Sequence, residues 1–143
     1  MSDFLYTVST DIQVRFRDTD AMGHVNNAVY LSWLEVARFD YWKRVTGHSD
    51  FRKVDIILAR VEIDYRAPAT VDTALRVWVR VPEVRRSSFL MEYLIEEKGT
   101  ARVMAEARTV QACYDYAANK VKRVDEEFRR RVVALEKPGS VVS

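Results

Sequence analysis

Residues 18–27 read DTDAMGHVNN. Two carboxylates (Asp18 and Asp20), Gly23, one of only two histidines (His24) and the pair Asn26–Asn27 fall within this decapeptide. These residue types suit chemistry at a carbonyl. A carboxylate can attack a carbonyl carbon, or take the proton of a water that attacks it. Backbone N–H groups at a helix start have no intrahelical partner and carry the positive end of the dipole. Aimed at a carbonyl oxygen they stabilise developing charge, and losing one such donor typically costs about 3 kcal/mol of barrier. Gly23 supplies the freedom for a tight turn and a close ligand approach. His24 could orient substrate or water. Each residue also has a structural use. Asp18 and Asp20 can close a turn, His24 can be a turn residue, and Asn26 or Asn27 can cap a helix.

The flanking elements must hold this cluster in place. Upstream, over 9–17, Ile12, Val14 and Phe16 alternate with Gln13, Arg15 and Arg17, the period of a half-buried strand. Downstream, 27–46 contain no Gly or Pro. There Tyr30, Leu34, Ala37, Tyr41 and Val45 form a stripe in steps of three and four, widened by Leu31, Trp33, Phe39 and Trp42. The pattern predicts a helix buried on most sides and stopped by Gly47. Within it Glu35 and Arg38 have the spacing of a helix ion pair, although Glu35 could instead reach the site.

From 54 to 116 the period is two. It predicts four strands, within LARVEIDYR, LRVWVRV, FLMEYLIEE (89–97) and ARVMAEARTVQACYDY (101–116). Pro68 and Gly99 mark turns, and PEVRRSS ends the second of these strands. Residues 125–136 predict a short charged helix with Asp125 as N-cap, and KPGSVVS (137–143) reads as a frayed end. One helix covers a five-stranded sheet only if the sheet curls around it. The expected architecture is therefore α+β: a curved five-stranded antiparallel sheet wrapped around one long central helix, as a single domain over 1–143. Its outer face would carry Trp78, Leu94, Met104 and Val110 among charges. That face and the open edges call for a second copy.

The composition narrows the field further. Of 143 residues, 48% are hydrophobic and 31% charged, as in an ordinary globular domain. The net charge is only +2, with both signs interspersed, so no nucleic-acid partner is expected. No apolar run approaches the ~18 residues of a membrane span, and MSDFLYTVST lacks a signal-peptide pattern. The single cysteine, Cys113, reads as a small buried hydrophobe and fits a reducing, cytoplasmic setting. Two histidines and one cysteine give poor support for a transition-metal site. The G-x-S-x-G elbow, the P-loop and G-x-G-x-x-G are absent, so no cofactor is expected.

Over about residues 8–118, DTDAMGHVNNAVYLSWLEVAR followed by four strands resembles the hotdog-fold acyl-CoA thioesterases, and within them the 4-hydroxybenzoyl-CoA thioesterase-like group. A second block, VRRSSF (84–89), resembles the segment that contacts coenzyme A phosphates there. The resemblance implies hydrolysis of a CoA thioester to free acid and CoA, with coenzyme A entering as part of the substrate. Asp20 would be the nucleophile or general base, and the Asn27 backbone N–H would polarise the carbonyl. His24 would assist at the same site. Gly23, Tyr30, Glu35 and Ser88 would bind substrate, and Arg85 and Arg86 would hold the phosphates. Ser87 stands where the hydroxybenzoyl enzyme has a lysine. The resemblance also implies a homodimer or homotetramer with active sites at the subunit interface. An acyl-ACP thioesterase is the nearest alternative, although Met22 occupies the place of an asparagine found in that group. A non-catalytic acyl-CoA-binding protein is another. The aromatic helix suits an aryl or a medium fatty acyl group.

Overall fold

The computed structural model describes residues 4–143; residues 1–3, part of the expected domain and of the N-terminus read for a signal pattern, lie outside the described residues. The strands are β1 (Val8–Gln13), β2 (Ile56–Tyr65), β3 (Ala74–Val84), β4 (Ser88–Glu97), β5 (Val103–Asp115) and β6 (Lys120–Val121). They form one antiparallel sheet in the order β1-β3-β4-β5-β2, with the two-residue β6 added to β5. The long helix α1 (Val29–Thr46) packs on β1, β3 and the C-terminal helix α2 (Glu126–Leu135).

The period-two pattern builds the core. Val77, Val79 and Val81 of β3 and Met91, Tyr93 and Ile95 of β4 are buried on the face that meets Tyr30, Leu34, Ala37 and Tyr41 of α1. Gly47 ends α1 in the left-handed conformation, φ 75°, with its N–H donating to Lys43 O at 2.8 Å. Cys113 is buried, and burial raises its thiol to about 11, so it serves packing. Among the described residues no helix is long and apolar enough to cross a membrane.

Several elements depart from the sequence pattern. β1 stops at Gln13, because the Asp18 carboxylate takes the Arg15 N–H at 2.8 Å and closes a 3-10 turn over Phe16–Asp18; Phe16 is 82% exposed. α1 starts at Val29, two residues later than expected, and is buried on one face only, with Val36 46% exposed. β3 runs through PEV to Val84: a register shift between Arg80 and Glu83 accommodates Pro82, which has no N–H for a ladder. A second shift, between Ile95 and Glu96, turns Met104 into the core, so the outer face carries Trp78, Leu94 and Val110 without it. The C-terminal tail is tied down, with Val142 N donating to Pro82 O and Val84 N donating to Val142 O. α2 spans 126–135 behind Asp125, but that side chain caps no N–H and faces Lys122 at 3.7 Å.

The end of α2 docks through a buried carboxylate. Glu136 Oε2 accepts from Tyr41 Oη at 2.7 Å and from the Val81 N–H at 2.8 Å. Its Oε1 is buried with no partner among the described residues. Burial lifts this carboxyl above its ordinary 4.5, outweighing the two donors, which pull it down. The native state therefore holds the proton more tightly than the unfolded chain. The contribution to stability is complete below about pH 4.5 and is lost as pH rises through the native value. In melting curves from pH 4 to 8, Glu136→Gln is expected to remove this part of the pH dependence. The wild-type advantage over the variant should shrink as pH rises; parallel curves would show that the carboxyl does not titrate in this way.

Candidate active site

The polar decapeptide is a miniature hairpin. Thr19 bridges Val25 around a turn in which Gly23 N donates to Asp20 O at 3.0 Å and Asp20 N donates to His24 O at 2.7 Å. Gly23 sits at φ 79°, a region that favours glycine, so its predicted turn role holds. Asp20 Oδ1 accepts from the N–H groups of Met22 at 2.8 Å and His24 at 3.3 Å. The structural use of Asp20 is thus present, and it fixes where the carboxylate points. Asp18 is buried in the preceding turn, so of the two carboxylates only Asp20 is exposed to a ligand.

The hairpin is clamped to the chain between β2 and β3. Val25 N donates to Ala69 O at 2.9 Å, and His24 bridges Thr70. The clamp places Asp20 and His24 beside the start of α1. There Asn26 Oδ1 accepts from Ala28 N at 2.9 Å, and Asn26 O accepts from Val29 N. Neither asparagine is the helix cap: Ala28 holds that position without a side-chain bond, Asn26 closes a turn just before it, and among the described residues the Asn27 N–H makes no hydrogen bond. The Asn27 carbonyl is held by Tyr65 Oη at 2.8 Å. Asp20, His24, Asn27, Tyr30, Tyr65 and Arg66 line a cavity of about 300 Å³. Tyr30 is a wall: its hydroxyl accepts from Ala69 N at 3.3 Å, its ring meets Tyr65 edge-on at 5.0 Å, and burial raises its pKa.

Not every predicted residue converges here. Glu35 lies two turns along α1 and lines a different cavity with Arg38. The expected Glu35–Arg38 ion pair does not form; Arg38 Nη1 donates to Tyr93 Oη at 3.2 Å instead. Arg85, Arg86 and Ser88 form the β3–β4 hairpin, closed by Arg85 N donating to Ser88 O at 2.8 Å. Arg85 is ion-paired with Glu83, whereas Arg86 is exposed and unpaired among the described residues. This hairpin is at the other end of the sheet. Tyr65, beside Asn27, is opposite Ala105 of β5, and Ser88 is opposite Ala112. Seven residues at ~3.3 Å each separate them by about 23 Å.

Tyr65 and Arg66 were missed as site residues. In the sequence they are only the end of an alternating strand, and the pairing that brings them to Asn27 is long-range.

A family model described as the thioesterase-like superfamily matches residues 14–132. The chain is 26% identical over 136 residues to the long-chain acyl-CoA thioesterase FadM of Escherichia coli, covering 91% of this chain and all of that one. It is 28% identical to the acyl-CoA thioesterase YbgC of Haemophilus influenzae, covering 85% and 90%. Among solved structures it resembles a Thermus thermophilus thioesterase complexed with coenzyme A and Zn, at 34% identity and TM-score 0.82, over 91% and 94% of the two chains. The curved sheet and long helix are those of the hotdog thioesterases.

The hairpin depends on Gly23. A side chain there has space but is forced into the left-handed region, which typically costs about 1–2 kcal/mol. Gly23→Ala is expected to lower stability by that amount in urea titrations, and a variant as stable as the wild type would show that the turn relaxes freely.

Proposed function

The chain belongs to the thioesterase-like superfamily and is a thioester hydrolase; on that premise we propose that it hydrolyses acyl-CoA thioesters, with chemistry at Asp20 and the α1 start. The observation that carries the reading is the pairing of an exposed carboxylate with an unengaged helix-entry amide, Asn27 N–H, around one cavity. In the proposed reaction the thioester carbonyl oxygen accepts from the Asn27 N–H. Asp20 either takes a proton from the attacking water or attacks the carbonyl carbon itself. By the first route the water oxygen bonds to the carbonyl carbon, the C–S bond breaks and the CoA thiolate takes up a proton. By the second an acyl–Asp20 anhydride forms as CoA leaves, and water then opens it. His24, whose backbone N–H donates to the Asp20 carboxylate, would position water or substrate. Neither route uses a metal or a cofactor.

The reading includes a second copy of the chain. Asp20 and the Arg85–Arg86–Ser88 hairpin stand at opposite ends of the sheet. β2 is the last strand of the main path, with Ile57, Leu58, Val61 and Tyr65 all exposed. An antiparallel partner on that edge would reverse the ends and bring its own hairpin towards Asp20. CoA phosphates would then meet Arg86, a freely available guanidinium, more directly than Arg85.

Thiol release from a panel of acetyl-, hexanoyl-, palmitoyl- and benzoyl-CoA tests the reading. Asp20→Ala is expected to lower kcat by roughly 10²–10⁴-fold on the preferred substrate. Arg86→Ala is expected to raise KM with kcat kept, and sedimentation should give a dimer or tetramer. Undiminished turnover by Asp20→Ala would remove it from the chemistry. No turnover of any thioester, with CoA thioesters still raising Tm, would make the chain a binding protein.

A further inference from the structure

The second cavity, about 320 Å³, lies between α1 and the start of β2. Its walls are apolar, including Phe39, Phe51, Ile56 and Leu58. Its polar groups are few: Glu35, Arg38, Gln111 and the Tyr116 hydroxyl, which donates to Ile56 O at 3.0 Å. A mostly apolar cavity with a few placed polar groups is the usual form of a small-molecule site, the polar groups fixing orientation.

The polar groups are built into the protein. Gln111, Thr109 and Tyr93 are each about 1% exposed. Gln111 Nε2 donates to Thr109 Oγ1 at 3.1 Å, Thr109 and Tyr93 share a hydrogen bond at 2.8 Å, and Arg38 Nη1 donates to Tyr93 Oη at 3.2 Å. This chain spans three elements and holds the guanidinium at the cavity. Among the described residues Arg38 has no carboxylate partner, although Glu35 lines the same cavity three residues away. The indole of Trp42 also walls the cavity. A guanidinium without a carboxylate partner and a separate carboxylate therefore border the same space.

The cavity also lies in line with the candidate active site. Leu31, Glu35, Arg38 and Trp42 follow one another by steps of three and four on one face of α1, starting one turn beyond Asn27. From Asn27 to Arg38 is eleven residues, about 16 Å at a rise of ~1.5 Å, the reach of a medium-to-long acyl chain.

We propose that this cavity receives the far end of the acyl group and selects a chain bearing a hydroxyl there, which accepts from Arg38 and donates to Glu35. A hydroxyl has one hydrogen and two lone pairs, so it can serve both groups at once. A terminal carboxylate offers no donor and meets the charge of Glu35. A terminal methyl offers neither a donor nor an acceptor. The proposal rests on the acyl-CoA thioesterase reading and names its substrate class: hydroxylated medium-to-long-chain acyl-CoA.

The test compares kcat/KM for dodecanoyl-CoA, ω-hydroxydodecanoyl-CoA and the mono-CoA thioester of dodecanedioic acid. The wild type is expected to favour the hydroxylated chain by at least about tenfold over either competitor, since a site built to hydrogen-bond a hydroxyl rejects the analogue without it. Arg38→Met is expected to abolish that preference while keeping turnover of dodecanoyl-CoA. Glu35→Gln, on the exposed side of the helix, covers the case in which Arg38→Met fails to fold, and should reduce the preference several-fold. Equal or better turnover of the plain chain, or preference for the dicarboxylic one, overturns the proposal and leaves the thioesterase reading intact. If no thioester is hydrolysed the thioesterase reading fails, and calorimetric Kd values for the plain and hydroxylated thioesters still decide whether the cavity reads the hydroxyl.

Discussion

One helix has to close one sheet, and the match is incomplete. α1 packs on β1 and β3, and the residues that do this are among the most buried in the protein. Towards the β2 edge the helix covers less of the sheet. β2 is exposed along most of its length on a chain that is otherwise well packed. Such a strand is a liability in water, with an unpaired backbone edge and apolar side chains in solvent. It also borders both cavities. The Asp20 cavity sits at one end of the α1–β2 border and the Arg38 cavity towards the other.

The loop before α1 shows how structural and chemical uses share one geometry. Asp20 closes the turn of the hairpin with one carboxylate oxygen. Asn26 accepts from the amide of Ala28 just before the helix, and among the described residues the Asn27 N–H is left unengaged. Tyr65 and Ala69 fasten this arrangement from the far side of the sequence. In the proposed reaction nothing has to be reorganised to meet a carbonyl oxygen, and such preorganisation gives a hydrogen-bond donor its catalytic worth.

Polar groups inside the core serve attachment. Glu136 joins α2 to α1 and β3 through Tyr41 and the Val81 N–H. The Tyr93–Thr109–Gln111 chain joins β4 to β5 beneath the helix and reaches Arg38. Each member has at least one partner, as buried polar groups require. Among the described residues the exceptions are Glu136 Oε1, the Trp42 N–H and the Thr7 hydroxyl.

The period-two runs of β3, β4 and β5, the stripe of α1 and the Gly47 stop were readable from the sequence, because they follow from local side-chain periodicity and backbone freedom. So was the cluster of residues 18–27, whose types and position before a helix are local facts. Long-range contacts decided the remainder. Asp18 ended β1 early, two register shifts carried β3 past Pro82 and turned Met104 inward, and β3 captured the tail at Val142. No local pattern distinguishes Tyr65 from any other strand-end aromatic; pairing with β5 brought it to Asn27. Arg38 had two acceptors within reach of its side chain, a carboxylate on its own helix and a tyrosine 55 residues away. Sequence spacing favoured the first. The fold chose the second, because Tyr93 is held beneath the helix by the sheet while Glu35 faces outward into solvent.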